Sequence, residues 1–391
     1  MSVRLGVYSD LEFWQRDGRP VAQESFLLFA AALRPHVEAL VVAGRLAEES
    51  ADAAYAVPDD AEFVALPHYA ALSRPTAALR AVRGSLRAFG ALVDRVDAVW
   101  LLGPHPLAIA FALQARRRGR AVVLGVRQDL PAYVRTRHPR RPDLLAAGYA
   151  LEGAWRLLAR TCPVVVVGPD LARRYRRARA VLPAVVSLVR AADVAPAVPA
   201  RPRSPREPFR VLAVGRLDPE KNPLLLADVL AALVERGVDA RLTVCGTGTL
   251  HDALAARLAE RGVAERAELL GHVSLDGALR ALYSDSDALL HVSWTEGVPQ
   301  VLFEAFAAGL PVVATAVGGV PEQVGDAAVL VPPGSAGAAA DALASLARDP
   351  ALGERLAGRG LERVRARTLE SESARVAAFI AAAVRGQCRC S

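Results

Sequence analysis

The chain alternates short, almost wholly apolar runs with longer amphipathic segments rich in Ala, Leu and Arg. In the first half the apolar runs are Arg4–Tyr8, Ala39–Ala43, Ala98–Leu102, Ala121–Val126 and Val164–Val167. In the second half they are Arg210–Val214, Arg241–Cys245, Ala267–Leu270, Ala288–Val292, Pro311–Thr315 and Ala328–Val331. Runs this short and β-branched read as strands, and their unbroken apolar character implies a sheet covered on both faces. Helix-like segments fill most of the gaps, which predicts βαβ units and parallel sheets. A chain of 391 residues is too long for one ordinary core, so two domains are expected.

Residues 194–208 carry five prolines, which exclude a helix or a central strand there. This stretch reads as a linker between residues 1–193 and residues 209–368, each a doubly wound, Rossmann-like α/β domain. Residues 369–391 would form a last helix, from about Ser371 to Val384, able to cross back to the first domain, and a tail. Two such domains facing each other leave a cleft at the carboxyl ends of their strands, where ligands bind.

Composition narrows the class. A hydrophobic share of 53% against 23% charged residues excludes a disordered chain. The longest apolar stretch, Val301–Val320, is interrupted by Glu304, Gly309 and Pro311, which suits a buried helix followed by a buried strand rather than a membrane span. The first residues run straight into a strand with no leader pattern, so a cytoplasmic location is expected. Cys162, Cys245, Cys388 and Cys390 show no zinc spacing; the first two read as buried thiols and the last pair as a frayed tail. The net charge of +7 is uneven. Arginines cluster at 116–118, at Arg135, Arg137, Arg140 and Arg141, and at Arg173, Arg174, Arg176, Arg177 and Arg179. Such a first half can face an acidic membrane surface, as a peripheral contact at the inner face, or a phosphorylated acceptor. Solvated helix faces explain it equally well. Nucleic acid is disfavoured because no aromatic residues interleave with the arginines.

One lysine stands against 47 arginines among the 48 basic residues. This Lys221 lies in Gly215-Arg216-Leu217-Asp218-Pro219-Glu220-Lys221-Asn222-Pro223, after a strand and before the helix expected over Leu224–Leu233. A lysine kept in such a background suggests a place that needs a compact ammonium, and a strand end followed by a helix start suits an anion, although chance survival on a solvated loop explains this segment alone equally well. A second segment runs from Ser293 through Glu296, Gly297, Val298 and Pro299 into a helix that Gly309 ends. The amides near Gln300, Val301 and Leu302 would be free to receive a phosphate oxygen. Glu304 lies in an otherwise apolar helix, and a buried carboxylate needs hydrogen-bond partners such as a sugar diol.

The spacing Glu296…Glu304 within E-G-V-P-Q-V-L-F-E-A-F-A-A-G-L-P-V-V-A-T-A-V-G-G-V-P-E resembles the retaining glycosyltransferases of family four, which have the GT-B fold. G-R-L-D-P-E-K-N-P, C-G-T-G, L-L-G-H-V-S and L-Y-S-D-S-D-A-L-L-H-V-S extend the likeness over roughly 209–333. The resemblance implies a hexosyl transfer from a nucleoside-diphosphate sugar, UDP or GDP most of all, to a hydroxyl acceptor, with no metal or other cofactor. It implies that Arg216 and Lys221 hold the diphosphate in place of a metal ion and that Glu304 binds the ribose. Glu296 would contact the sugar, and Gly215 and the amides of Gly297 to Leu302 would line its site. Gly246 and Thr247 would border the nucleotide, and His272 and Val273 the base. His105 resembles the first-domain histidine near the anomeric centre. Where the family often has a glycine-rich loop, this chain has Tyr8 to Gly18; Asp10, Arg127 and Asp129 are acceptor-side candidates. His272 and His291 read as packing or backbone-bonded residues rather than catalytic ones. A nucleotide-sugar epimerase or hydrolase on the same fold, or a non-catalytic nucleotide-sugar binding subunit, would carry much of the same pattern.

Overall fold

The computed structural model describes residues 2–47, 55–69, 75–138, 140–198, 207–274 and 277–387. Most of the proline-rich stretch, and Cys388 and Cys390, lie outside them. The chain divides into two compact units, one of residues 1–188 with 369–391 and the other of residues 189–368. The change of unit therefore falls at Val189, a few residues ahead of the proline-rich stretch.

The first unit is built on strands β1 (Arg4–Arg16), β2 (Arg19–Ala22), β3 (Ala39–Leu46), β4 (Tyr55–Ala56), β5 (Glu62–Pro67), β6 (Ala98–Gly103), β7 (Ala121–Val126), β8 (Val164–Val167) and β9 (Val181–Ala184). The parallel order is β5-β3-β1-β6-β7-β8-β9. Every residue of β7 is buried, as a strand covered on both faces requires. The helix Leu369–Gln387 belongs to this unit. Its Val376 and Ile380 are buried in the same apolar cluster as Val7, Leu40 and Trp100. Buried Glu372 accepts the Val185 amide at 3.0 Å, which fastens the helix to the end of β9.

The segment from Tyr8 to Gly18 is not a loop. β1 shifts register between Tyr8 and Glu12 and then continues to Arg16. Asp17 (φ 53°) and Gly18 (φ 74°) make a two-residue turn into antiparallel β2, the positive-φ pair that a tight hairpin favours. Phe13 supplies the reason: its ring is buried and packs on Phe63 at 4.7 Å, which draws the strand onward.

The second unit is a six-stranded sheet of β10 (Phe209–Val214), β11 (Ala240–Cys245), β12 (Ala267–Gly271), β13 (Ala288–His291), β14 (Val312–Thr315) and β15 (Ala328–Val331). Its order is β12-β11-β10-β13-β14-β15, all parallel. Both sheets therefore reverse their winding beside their first strand, between β1 and β6 and between β10 and β13. Doubly wound folds bind ligands outside the carboxyl ends of the strands at such a switch point. Among the described residues no helix is long and apolar enough to cross a membrane.

Candidate functional site

The switch point of the second unit gathers two loops. The loop after β10 runs from Gly215 through a short 3-10 turn, Pro219–Lys221, to the helix Leu224–Glu235. Backbone bonds fix it: the Leu217 amide donates to Thr247 at 2.8 Å, and the Leu250 amide to Leu217 at 2.8 Å. Gly246 is required here. Its φ is +148°, and a Cβ at that position would lie 1.8 Å from the Gly215 carbonyl oxygen, so only glycine lets the loops after β10 and β11 approach this closely. The loop after β13 carries Ser293, Trp294 and Glu296 into the helix Gln300–Ala307, which Gly309 (φ +62°) terminates. The Trp294 amide donates to the Glu220 carbonyl at 2.9 Å and ties the two loops together.

Across them, Lys221 Nζ donates to Glu296 Oε1 at 2.6 Å. The same oxygen accepts the Ser293 hydroxyl at 2.7 Å and lies 3.0 Å from His291 Nε2. Three groups thus converge on Oε1, and Oε2 has no protein partner among the described residues. Burial works against charge on Glu296, but His291 and Lys221 outweigh it and hold the carboxyl down at about 2. His291 is itself buried, and its Nδ1 has no hydrogen-bond partner. Besides packing at the end of β13, the ring meets a carboxylate, with Nε2 3.0 Å from Glu296 Oε1. The alternation of a buried strand face, His291 and Ser293 flanking Val292, was the one signal for this pair in the sequence.

Gly215, Arg216, Lys221 and Glu296 line one pocket of ≈ 370 Å³ with Pro299, Gln300 and Val301. Arg216, about half exposed, folds onto its own loop, at 2.5 Å from Asp218 and 2.6 Å from Glu220. An incoming anion would compete with these carboxylates for the guanidinium. Glu304 lies outside the lining. It accepts the Tyr283 hydroxyl at 2.7 Å, and burial pushes its carboxyl up against the opposing pull of that bond. Leu302 departs from expectation: its side chain is fully buried, and its amide already donates to the Pro299 carbonyl at 3.4 Å because the helix opens on a tight turn. Gly246 and Thr247 follow β11, His272 and Val273 follow β12, and Gly297 and Val298 lie on the turn before the helix; none of these six lines the pocket.

In the first unit the switch point brings Asp10 and His105 together. Asp10 Oδ2 lies 3.3 Å from His105 Nε2, and the other ring nitrogen, Nδ1, lies 3.4 Å from the Tyr8 hydroxyl. The Asp10 carboxylate also accepts the Tyr8 hydroxyl at 3.3 Å and that of Tyr69, and it pairs with Arg45 at 3.1 Å. The Arg45 guanidinium stands over the Tyr69 ring, 4.6 Å from its centroid. Burial lowers the His105 pKa; Asp10 pulls it up and Arg45 pushes it down. Arg45 and Tyr69 were not singled out from the sequence, because β3 and the segment after β5 bring them in from distant positions, whereas Tyr8 lies two residues before Asp10 on β1. Asp129 is engaged otherwise: it caps the helix Leu130–Arg137 through the Ala132 amide at 3.2 Å and pairs with Arg174 at 2.6 Å. Arg127 is half-buried, with its guanidinium 4.9 Å from the Phe26 ring centroid.

Comparison with known proteins bears on the second unit above all. Residues 196–363 match the family described as glycosyl transferases group 1. The D-inositol 3-phosphate glycosyltransferase of Actinosynnema mirum is 37% identical over 172 residues, covering 40% of this chain and 41% of that protein. The protein of the same name from Corynebacterium glutamicum strain R is 34% identical over 150 residues, 36% of this chain and 35% of that one. The matches thus span about two fifths of the curated relatives or less. Among solved structures, sucrose-phosphate synthase from Thermosynechococcus elongatus aligns with a TM-score of 0.73 at 18% identity, over 98% of this chain and 99% of that one. Anabaena HepE in complex with UDP aligns with a TM-score of 0.70 at 17% identity, over 97% of this chain and all (100%) of that one. These likenesses carry the GT-B fold.

Proposed function

We propose that this chain, whose residues 196–363 match the family described as glycosyl transferases group 1, moves a sugar from a nucleoside-diphosphate donor to a hydroxyl acceptor. The observation that carries this reading is the Lys221–Glu296 pair at 2.6 Å on the wall of a pocket at the switch point. Departure of the nucleoside diphosphate builds negative charge on its β-phosphate. An ammonium and a guanidinium from one loop, Lys221 and Arg216, are placed to stabilise that charge, the task a metal ion would otherwise perform. Glu296, held ionised, offers Oε2 to the hydroxyls of the donor sugar. The sugar passes through an oxocarbenium-like state. In a retaining, front-face displacement the departing phosphate takes the acceptor proton, so no enzymic nucleophile is needed. Glu304 is assigned to the ribose hydroxyls, and Asp10 and His105 to the acceptor. HepE is a relative in fold whose structure holds UDP, and UDP or GDP is the donor base we favour.

A thermal-shift series with UDP, GDP, ADP and TDP, with and without magnesium, tests the donor half, because a ligand that binds only the folded state raises its stability by mass action. One nucleotide should give a shift that magnesium leaves unchanged. A shift that appears only with magnesium would remove the metal-independent mechanism, and silence from all four would remove the donor site. Incubation of the matching nucleotide sugar with candidate hydroxyl compounds then separates transfer from hydrolysis, and the anomeric configuration of the product decides between retention and inversion.

A further inference from the structure

The first unit contains a hollow of ≈ 340 Å³ whose rim carries four guanidinium groups. Arg156 lies in the last turn of the helix Pro142–Ala159, and Arg160 caps that helix. Arg174 ends the helix Pro169–Arg174, and Arg177 follows in the turn after it. Arg174 is paired with Asp129 at 2.6 Å. The guanidinium groups of the other three make no hydrogen bond or ion pair among the described residues.

Several other exposed arginines pair with carboxylates, as Arg210 does with Asp287 and Arg141 with Asp143. The acids nearby are occupied. Glu152, one turn before Arg156, is buried; it accepts the Tyr175 hydroxyl at 2.9 Å, and burial pushes its carboxyl up against that bond. Asp170 is taken by Arg173. Leu157, 62% exposed, adds an apolar flank to the same rim. Unpaired like charges around one hollow repel each other, and the planar fork of arginine matches the oxygens of a phosphate group.

We propose that this hollow binds a phosphate-bearing anion, with Arg156, Arg160 and Arg177 donating to its oxygens and Leu157 bordering its apolar part. The site is separate from the donor pocket and does not depend on the sugar-transfer reading. A soluble phosphate ester and the headgroup of an anionic phospholipid offer the same chemistry.

The test compares the parent chain with the combined Arg156→Gln, Arg160→Gln, Arg177→Gln variant and with an equally charged control, Arg16→Gln, Arg241→Gln, Arg385→Gln. All three carry Arg216→Gln and Lys221→Ala, so that the donor loop adds no second anion site. Inorganic pyrophosphate is titrated calorimetrically, and binding to vesicles is measured by sedimentation with equal parts of phosphatidylglycerol and phosphatidylcholine, against phosphatidylcholine alone. The rim variant should bind pyrophosphate ~10-fold or more weakly than the control, which identifies a soluble ligand, or lose sedimentation with the anionic vesicles alone, which identifies a lipid. Equal binding by rim variant and control in both assays, or a parent that binds neither probe, overturns the proposal. Circular dichroism melts verify folding, and because the three arginines are exposed and unpaired the melting point should barely move.

Discussion

The two switch points place a carboxylate at the centre of a ring of donors, yet they differ in what reaches it. In the second unit Glu296 is held by an ammonium, a hydroxyl and an imidazole on one oxygen, and the loops that carry them are close in sequence to their strands. In the first unit Asp10 is held by two tyrosine hydroxyls, a guanidinium and an imidazole drawn from four separate segments. The first arrangement leaves one carboxylate oxygen open beside a pocket with two cations on its wall, as an anionic, polyhydroxylated ligand requires. The second arrangement half-buries its histidine and lowers its pKa, which favours the neutral imidazole, able to accept a proton. On the function proposed above, one site stabilises charge and the other positions a neutral ring.

The largest effect that would separate these roles comes from Lys221→Ala. If Lys221 serves the developing charge, kcat should fall ~10²- to 10³-fold while donor affinity changes far less. Equal losses in kcat and donor binding would reduce the second unit to a binding module. Lys221→Arg should not restore the rate, because a planar guanidinium cannot replace a compact ammonium against Glu296. Asp10→Asn is the counterpart. It keeps the shape of the side chain but weakens its hold on His105, so kcat should drop by ~10² with its pH profile displaced, while UDP or GDP still shifts the melting curve as in the parent. A loss of nucleotide binding in Asp10→Asn would dissolve the contrast between the two sites.

How far the sequence exposes each site follows from the same difference. Glu296, Lys221 and the helix after Pro299 are tied to local signals, a lone lysine, a turn and a helix start, so they stand out from sequence alone. His291 and Ser293 are adjacent to those signals but look like ordinary strand-end residues until the fold turns His291 toward Glu296. The strands were legible as apolar runs, and β7, β8 and β15 keep the predicted ends. β2, β4, β5 and β9 were not, because edge and hairpin strands lack the unbroken apolar run of central ones. The continuation of β1 past Tyr8 was hidden for a similar reason: its partly buried alternation around Phe13 reads as loop until Phe63 is seen to cover it. Arg45 and Tyr69 could not be grouped with Tyr8 and Asp10 from spacing, since parallel pairing of β1 with β3 and of β3 with β5 brings them together.

A smaller and more local effect is expected at His291. Replacement by leucine removes one of the three groups on Glu296 Oε1 and leaves Lys221 and Ser293 in place. The donor KM should rise several-fold with kcat reduced ~10-fold, and His291→Gln, which keeps an N–H donor, should recover most of the loss. No recovery with glutamine would mean that ring packing, not the bond to Glu296, is what the position supplies.

The least conspicuous effect is thermodynamic and needs no substrate. Glu296 titrates at about 2 in the folded chain, below the ~4.3 of an unfolded glutamate. A depressed carboxylate contributes stability that is complete above its unfolded pKa and disappears as the pH falls through the folded one. The window is therefore roughly pH 4.5 down to pH 2, and the contribution at its upper edge is on the order of 3 kcal/mol. Glu296→Gln cannot ionise, so the melting temperature of that variant should decline less steeply across the window than that of the parent. At neutral pH the variant should be the less stable of the two, because Lys221 loses its partner. The equivalent measurement on Asp10→Asn supplies the comparison between sites. A parent and Glu296→Gln pair with parallel acid limbs would show that Lys221 and His291 do not hold Glu296 ionised, and the charge-stabilising role of the second switch point would lose its electrostatic basis.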